Sequence, residues 1–344
     1  MKAILLDDNE MAKWDEFIMS TPGGAFSNLS GWRKVYDTYG FKSFPIAAIN
    51  DTGIIRGVLP LFLMRDIFGK KFLVSNPFLS YGGLCAVDEK AKIALIQKAK
   101  ETAIINHVEY LEIRQLADIV TDLPEKKDFV TMVLKLEKDE NLIWNKALTS
   151  VARNRIRKAF KANLVVDFGR QYLHDFYRVF SVNMRDLGTP VFPISFFESI
   201  FEEFRDVVDL IVVKHQDVVI GAMLFIHFRN VCLDPWVSSL KNYNQFCPGD
   251  LLYWEAIKKA LMQDAEYFDF GRSTINSGTY RFKKKWGAYP VQLNYQYFLN
   301  KACNIPVVNA NNNKYQLAIN IWKRLPLIIA NTIGPRLIKY LPEL

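Results

Sequence analysis

The sequence contains an internal repeat. Residues 44–64 read FPIAAINDTGIIRGVLPLFLM and residues 208–228 read VDLIVVKHQDVVIGAMLFIHF, each an apolar run, a polar turn and a second apolar run with a glycine. Further along, KAKETAIINHVEYLEIRQ (98–115) corresponds to WEAIKKALMQDAEYFDFGRS (254–273), and each is a helical pattern followed by a buried strand. Glu112 and Asp269 hold the same place in the two copies. A repeat of this length predicts two copies of one α/β unit.

The order of elements within each copy indicates the kind of sheet. Apolar runs joined by short polar turns predict antiparallel hairpins, and each hairpin is followed by a helix and a further strand. This order favours an α/β (α+β) fold with mixed, largely antiparallel sheets over a doubly wound parallel sheet. The boundaries that we predict are 1–140 for the first domain, 141–162 for a basic connecting helix, 163–303 for the second domain and 304–344 for a tail. Residues 291–300 are expected to close the second domain as its last strand.

Composition excludes several classes of protein. No GxGxxG follows a strand and no GxxxxGK[ST] occurs, so dinucleotide and P-loop sites have no motif behind them. The four histidines have no metal-ligand spacing, and we expect no metal. The four cysteines show no CxxC pairing, and the N-terminus does not look like a signal peptide, so a cytoplasmic protein with reduced thiols is expected. A net charge of +8 favours anionic partners, although ordinary solubility also accounts for much of it.

The first candidate site is the segment SVARNRIRKAFKANL (150–164). Six basic residues and no acid lie between Lys146 and Lys161. On a helix, Arg153 and Arg157 would lie on the face opposite the apolar stripe, where guanidinium groups can bind phosphate oxygens. A solvated basic face on a connecting helix explains the same pattern.

The second candidate site is FDFGRSTINSGTYRFKKKWG (268–287). A buried strand ends here in Arg272 and Ser273, and Tyr280 and Trp286 flank a run of lysines. Polar residues at the end of a strand are well placed to build a site on a rigid scaffold. Asp269 is a candidate base within the strand, and it could equally cap a loop by hydrogen bonding. An edge loop protected by lysines is the structural alternative.

The C-terminal segment 306–344 has five basic residues and one acid among repeated leucines and isoleucines. Pro326 and Pro335 are expected to cut it into short helical pieces. An amphipathic basic tail of this kind fits either a reversible contact with an anionic membrane or a pair of helices packed on the second domain.

Several of these segments together resemble the Fem-type (FemAB) transferases, which have tandem GNAT-like (N-acetyltransferase-like) domains. The resemblance runs from Phe26 to about Tyr297 and rests on GWRKVYDTYG, SYGG, ARNRIRKAFK, NMRDLGTPVFP, VIGAML, LLYWEAIKKA, FDFGRST and FKKKWGA. The combination of RDLGTPVFP with FDFGRST is most similar to FemAB-like proteins of exosortase/PEP-CTERM exopolysaccharide loci. The resemblance implies two tandem GNAT-like domains.

The resemblance also implies a function. Members of the family join an aminoacyl group to an amine, which implies an acyltransferase of the EC 2.3 type acting on a cell-envelope or exopolysaccharide precursor, or on peptidoglycan. Lys34 and Arg153 would lie near the diphosphate of a nucleotide- or lipid-linked sugar acceptor, and Lys283 near the reacting ester, where a cation stabilises the oxyanion. Lys283 is expected to be solvated.

The sequence departs from the family in two respects. It has no long coiled-coil arm, and no [QR]xxGx[GA] pyrophosphate loop at its strand-to-helix turns. No bound cofactor is expected; aminoacyl-tRNA and acyl-CoA are the alternative donors, and tRNA is therefore one expected partner. A non-catalytic GNAT-like module that binds an anionic glycolipid or a protein of polysaccharide export remains the alternative function.

Overall fold

The computed structural model describes residues 1–116, 122–306 and 313–341, of which 313–315 are described by their backbone alone. The chain divides into two compact units. The first unit consists of Met1–Phe129, Gln292–Val308 and Lys339–Leu344, and the second of Val130–Val291 and Asn309–Ile338. No described helix is long and apolar enough to cross a bilayer.

Both units contain strands and helices. The strands are β1 (Lys2–Leu5), β2 (Lys42–Ile49), β3 (Ile55–Arg65), β4 (Lys71–Val74), β5 (Cys85–Ala86), β6 (Tyr110–Leu116), β7 (Glu125–Lys126), β8 (Phe129–Lys135), β9 (Val165–Phe168), β10 (Val208–His215), β11 (Val218–Phe228), β12 (Val231–Ser239), β13 (Tyr267–Thr274) and β14 (Tyr289–Leu299). The helices are α1 (Met11–Ser20), α2 (Trp32–Asp37), α3 (Glu89–Ile105), α4 (Glu140–Leu142), α5 (Ser150–Lys161), α6 (Leu173–Leu187), α7 (Ile194–Glu203), α8 (Pro248–Met262), α9 (Gly278–Lys284), α10 (Asn313–Trp322) and α11 (Leu327–Leu337).

The first unit is built on the strand order β1-β2-β3-β4-β6-β14. Neighbouring strands are antiparallel except β4 and β6, which are parallel. The helix α3 packs on β1, β2 and β3. Asp88 begins α3 by accepting a hydrogen bond from the backbone N–H of Ala91 at 2.9 Å. Leu95 and Ala99 of this helix are buried against Leu59 and Leu111 of the sheet.

The second unit repeats this arrangement with the strand order β8-β13-β12-β11-β10-β9. The predicted hairpin is β10–β11, and β12 and β13 form the parallel pair. In both units the parallel pairing ends at the repeat-equivalent acids, with Val74 opposite Glu112 and Leu233 opposite Asp269. The mixed, largely antiparallel fold and the equivalence of these acids therefore agree with the sequence repeat.

The helix α5 is part of the second unit's core. It packs on α8, and its apolar stripe of Ala152, Ile156 and Ala159 is fully buried. Residues 141–162 were predicted to form a connecting helix. They instead form α4, a short wide-turned helix over Ile143–Ala147, and α5, because the apolar stripe covers a side of α8.

The strand β14 corrects the prediction that residues 291–300 close the second unit. Leu293 to Leu299 pair antiparallel with Leu116 to Tyr110 of β6, and Gln292–Val308 belongs to the first unit. An alternating strand satisfies its backbone equally well on any free sheet edge. The pattern of the segment therefore predicts a strand without identifying its partner.

The C-terminal segment forms helices that pack on α6 of the second unit. Residues 307–312 and 342–344 of this segment lie outside the described residues. Pro326 separates α10 from α11, as expected, but Pro335 lies inside α11 and does not end it.

Candidate active site

A fork between β12 and β13 forms the centre of the candidate site. The parallel pairing runs from Val231 opposite Tyr267 to Leu233 opposite Asp269 and ends there, although β12 continues to Ser239 and β13 to Thr274. Pro235 contributes to the end of this pairing, because a proline has no N–H to donate to a neighbouring strand. The register between β11 and β12 also shifts at this level. Polar groups thus lie at the point where the two strands stop pairing.

Lys283 is buried at this fork, contrary to the expectation of a solvated lysine. It lies in the short helix α9, which Ser277 begins by accepting a hydrogen bond from the N–H of Tyr280 at 3.2 Å. Its Nζ donates to the carbonyls of Gly271 and Arg272, each at 2.9 Å, and the residue is 8% exposed. These two bonds draw the ammonium group inward. Burial lowers the pKa of Lys283, against the opposing effect of nearby carboxylates.

Gly271 makes this carbonyl geometry possible. Its φ of 73° lies in the left-handed region, which a side chain disfavours. Because two of the three N–H donors of the ammonium group are used by carbonyls, the third is available to a ligand.

Asp234 is a buried carboxylate that the sequence analysis missed. It is 4% exposed, and neither carboxylate oxygen has a hydrogen bond of good geometry within the described part of the chain. Burial raises the pKa of Asp234 to about 7, and the nearby Lys283 ammonium works in the opposite direction. The phenol of Tyr253 lies beside this carboxylate, and burial raises the pKa of Tyr253 well above its usual range. Burying a carboxylate is costly, and titratable groups with strongly shifted pKa values concentrate at functional sites.

Asp269 has a more fixed environment than Asp234. It is 3% exposed, accepts a hydrogen bond from the hydroxyl of Thr131 on β8, and accepts another from the N–H of Gly271 at 2.8 Å. These bonds hold its carboxylate at the end of the β12–β13 pairing. The geometry suits a residue that positions the Gly271 turn, and the predicted role of Asp269 as a base remains a prediction.

The other predicted residues of this loop differ in exposure. Ser273 is 3% exposed with no hydrogen-bond partner for its Oγ among the described residues, so it is available to a ligand or to water. Arg272 and Tyr280 are half-buried. Trp286 is fully buried, with its ring 5.7 Å from that of Tyr253 and 6.3 Å from that of Phe270. Trp286 therefore packs as a core residue behind the fork.

The basic residues of α5 divide into two kinds. Arg153 is half-buried, and its Nη1 donates to the carbonyls of Trp144 and Leu148 at 3.0 and 2.5 Å. Arg157 is exposed and stacks over the ring of Trp144 at 5.4 Å. The N-terminus of α5 adjoins α9, because the N–H of Thr149 donates to the carbonyl of Lys285 at 3.0 Å. Lys34 is an exposed residue of α2 in the first unit.

The N-terminus of α8 carries an acid of its own. Asp250 lies in the first turn, is 3% exposed, and its carboxylate accepts a hydrogen bond from Nε of Arg155 at 2.8 Å. Burial raises the pKa of Asp250, and Arg155 opposes that effect. The N-terminus of a helix attracts anions because of the helix dipole, and at α8 the carboxylate of Asp250 already lies there.

The corresponding place in the first unit is closed by an ion pair. The Nε of Arg114 lies 2.6 Å from Oε1 of Glu112, and both side chains are almost fully buried. The hydroxyl of Tyr297 donates to the other carboxylate oxygen at 3.1 Å, and a carbonyl of Leu79 accepts from Arg114 at 3.0 Å. Ser75, which occupies the place of Asp234, accepts from the N–H of Arg114. At this place the first unit thus has a hydrogen-bonded ion pair, whereas the second has the carboxylate of Asp234 beside the ammonium of Lys283.

Comparison with known proteins agrees with this architecture. Residues 147–284 match the family model for an acetyltransferase (GNAT) domain, and this range lies within the second unit. Among solved structures, the chain resembles FemX with a TM-score of 0.68 and 17% identity, over 88% of this chain and 98% of that one. It also resembles a tandem GNAT protein of the clavulanic acid biosynthesis pathway, with a TM-score of 0.54 and 11% identity, over 86% and 97% of the two chains.

The fold is a tandem GNAT fold.

This confirms the predicted fold class. The chain also resembles L-PGS from Bacillus licheniformis, with a TM-score of 0.57 and 11% identity over 93% of this chain and 98% of that one. No curated protein matches the chain in sequence. Within residues 1–116, 122–306 and 313–341, no group of three or more His, Cys, Asp and Glu side chains is arranged to hold a metal ion.

Proposed function

We propose that the second unit transfers an acyl or aminoacyl group from an activated ester to an amine and so forms an amide. The observation that carries this proposal is that two buried groups of opposite charge, the carboxylate of Asp234 and the ammonium of Lys283, lie near each other at the β12–β13 fork. The match of residues 147–284 to an acetyltransferase domain supports the same class of reaction.

Each group has a role in the proposed reaction. The acceptor nitrogen attacks the ester carbonyl, and a C–N bond forms as the carbonyl oxygen becomes an oxyanion. The unused N–H of Lys283 donates to that oxyanion. Asp234 takes the proton from the attacking nitrogen and returns it to the leaving oxygen as the C–O bond breaks. No covalent enzyme intermediate is required, because an activated ester reacts once it is held beside the amine.

The N-terminus of α8 bears on the choice of donor. Acyl-CoA would bring a pyrophosphate, and anions of this kind bind well at unoccupied helix N-termini. The start of α8 already holds the buried carboxylate of Asp250, which is paired with Arg155, so a pyrophosphate would have to compete with that carboxylate for the helix N-terminus. We therefore favour aminoacyl-tRNA over acyl-CoA as the donor.

The acceptor that we propose is a phosphorylated or lipid-linked sugar precursor of the cell envelope, peptidoglycan or an exopolysaccharide, handled in the cytoplasm. The net charge of +8 and the exposed Arg157 support an anionic acceptor. The resemblance to Fem-type transferases implies the same class of molecule.

The test is a transfer assay with purified full-length protein. Aminoacyl-tRNA and acyl-CoA are each offered with nucleotide- and lipid-linked sugar precursors that carry an amine, and amide formation is read as a mass increase of the acceptor. Lys283→Met should abolish the increase, whereas Lys284→Met, at the exposed neighbouring position, should leave it unchanged. If the wild-type protein binds the precursor but does not modify it with either donor, the alternative of a non-catalytic binding module replaces this proposal.

A further inference from the structure

One side of the C-terminal helices is packed on the second unit. Ala330 is 2% exposed, and a Cβ added to Gly334 would lie 2.9 Å from the backbone N of Val191. Likewise, a Cβ added to Gly188 would lie 2.5 Å from Cγ2 of Ile319 in α10. Glycine thus allows both helices to approach closely. These contacts agree with the packed-helix alternative of the sequence analysis.

The other side of the same helices is apolar and exposed. Exposed fractions are 61% for Leu317, 55% for Ile321, 81% for Ile328, 42% for Ile329 and 40% for Ile333. Leu317 and Ile321 are four residues apart on α10, as are Ile329 and Ile333 on α11, so each pair lies along one helix face. Apolar residues scattered singly on a surface need no explanation, but a set of five aliphatic side chains on adjacent helices does. We call these five residues the tail face.

The charged residues of the two tail helices and of the turn between them have one sign. Lys323 and Arg324 lie between α10 and α11, Arg336 lies near the end of α11, and all three are exposed. Residues 313–338 contain no acid. Aliphatic side chains flanked by cations are the composition that an anionic lipid surface attracts, because the chains enter the headgroup boundary while the cations meet phosphates. A protein partner would usually be met by aromatic anchors and polar groups of both signs.

We propose that the tail face binds reversibly to an anionic lipid surface. The helices are held on the unit by one side and meet the lipid with the other, so membrane contact does not require them to detach. This proposal is independent of the reaction proposed above, because it uses none of the residues at the β12–β13 fork.

The test is co-sedimentation of the full-length protein with phosphatidylcholine vesicles, made with or without phosphatidylglycerol. The wild-type protein should sediment with the anionic vesicles at low salt and be released at high salt. Lys323→Gln with Arg324→Gln should weaken binding about 30-fold, which is about fivefold for each lost cation. Ile328→Glu should weaken binding at least tenfold, about the effect of one buried apolar side chain.

Met262→Glu is the matched control, since Met262 is 83% exposed at the end of α8, away from the tail face in sequence. It should bind as the wild type does. Thermal melts of each variant test for unfolding, and Ile328→Glu should melt as the wild type does because Ile328 is 81% exposed. Equal sedimentation with neutral and anionic vesicles, or unchanged binding by Ile328→Glu, would overturn the proposal. So would a wild-type dimer in solution that Ile328→Glu converts to a monomer, because a second copy would then cover the face.

Discussion

Replacing Asp234 with asparagine is expected to affect stability and activity in opposite directions. The pKa of this carboxyl is 3.8 in an unperturbed chain and about 7 in the folded protein. The folded state therefore keeps the proton to a higher pH than the unfolded state does, and wild-type stability falls as the pH rises from about 4 to about 7. A shift of roughly 3 units at about 1.36 kcal/mol per unit corresponds to about 4 kcal/mol. Asparagine has a similar shape and does not titrate.

The assay is urea unfolding of both proteins at about pH 4 and about pH 8. The free energy of unfolding of Asp234→Asn, relative to wild type, should increase by about 4 kcal/mol between the two pH values. In a Lys283→Met background the titration should move to higher pH, because the ammonium group favours the ionised carboxylate. Asp234→Asn should also lower kcat/KM about 100- to 10,000-fold and remove the acidic limb near pH 7 from the pH profile of activity. A stability difference that does not change with pH would refute the reasoning.

Two further predictions concern the buried cations. Lys283→Met should lower kcat about 100-fold or more with little change in KM, whereas Lys284→Met should change neither; steady-state kinetics will measure both. Because burial lowers the pKa of Lys283 from its usual 10.5, the alkaline limb of the pH profile of wild-type activity should also lie below that value. Arg114→Met should destabilise the protein by about 3–5 kcal/mol in urea unfolding, since it leaves Glu112 buried without its cation. Glu112→Gln combined with Arg114→Met should recover most of that loss, and a double variant as unstable as the single one would contradict this account.

The fold could be predicted largely from the repeat. Hairpin, helix and strand follow each other twice, and the periodicity of the apolar residues identifies each element. The partner of β14 could not be predicted, because a strand's own pattern does not encode which edge it joins. The place of α5 in the core of the second unit could not be predicted either, because the stripe of Ala152, Ile156 and Ala159 predicts a buried face without identifying the element that covers it.

The site was predicted in part. The resemblance pointed to Lys283 as a site residue. Its burial was not predicted, because a run of three lysines is typical of a solvated surface. Asp234 was missed, although the sequence carried a signal. In VCLDPWVSS, the acid falls at an alternate position with Cys232, where a buried side chain is expected, and a proline follows it. An acid at a buried position of a central strand, next to a proline, therefore indicates a candidate functional residue.

The path of β14 has a consequence for how the protein is made. The ribosome completes β6 about 180 residues before it reaches the end of β14. At about 5–20 residues per second, the exposed edge of β6 waits roughly 10–40 s for its antiparallel neighbour. During that interval an unpaired strand with buried-type residues is open to the wrong partner, which makes the nascent chain a natural client of chaperones. A fragment cut at residue 129 would retain that open edge permanently.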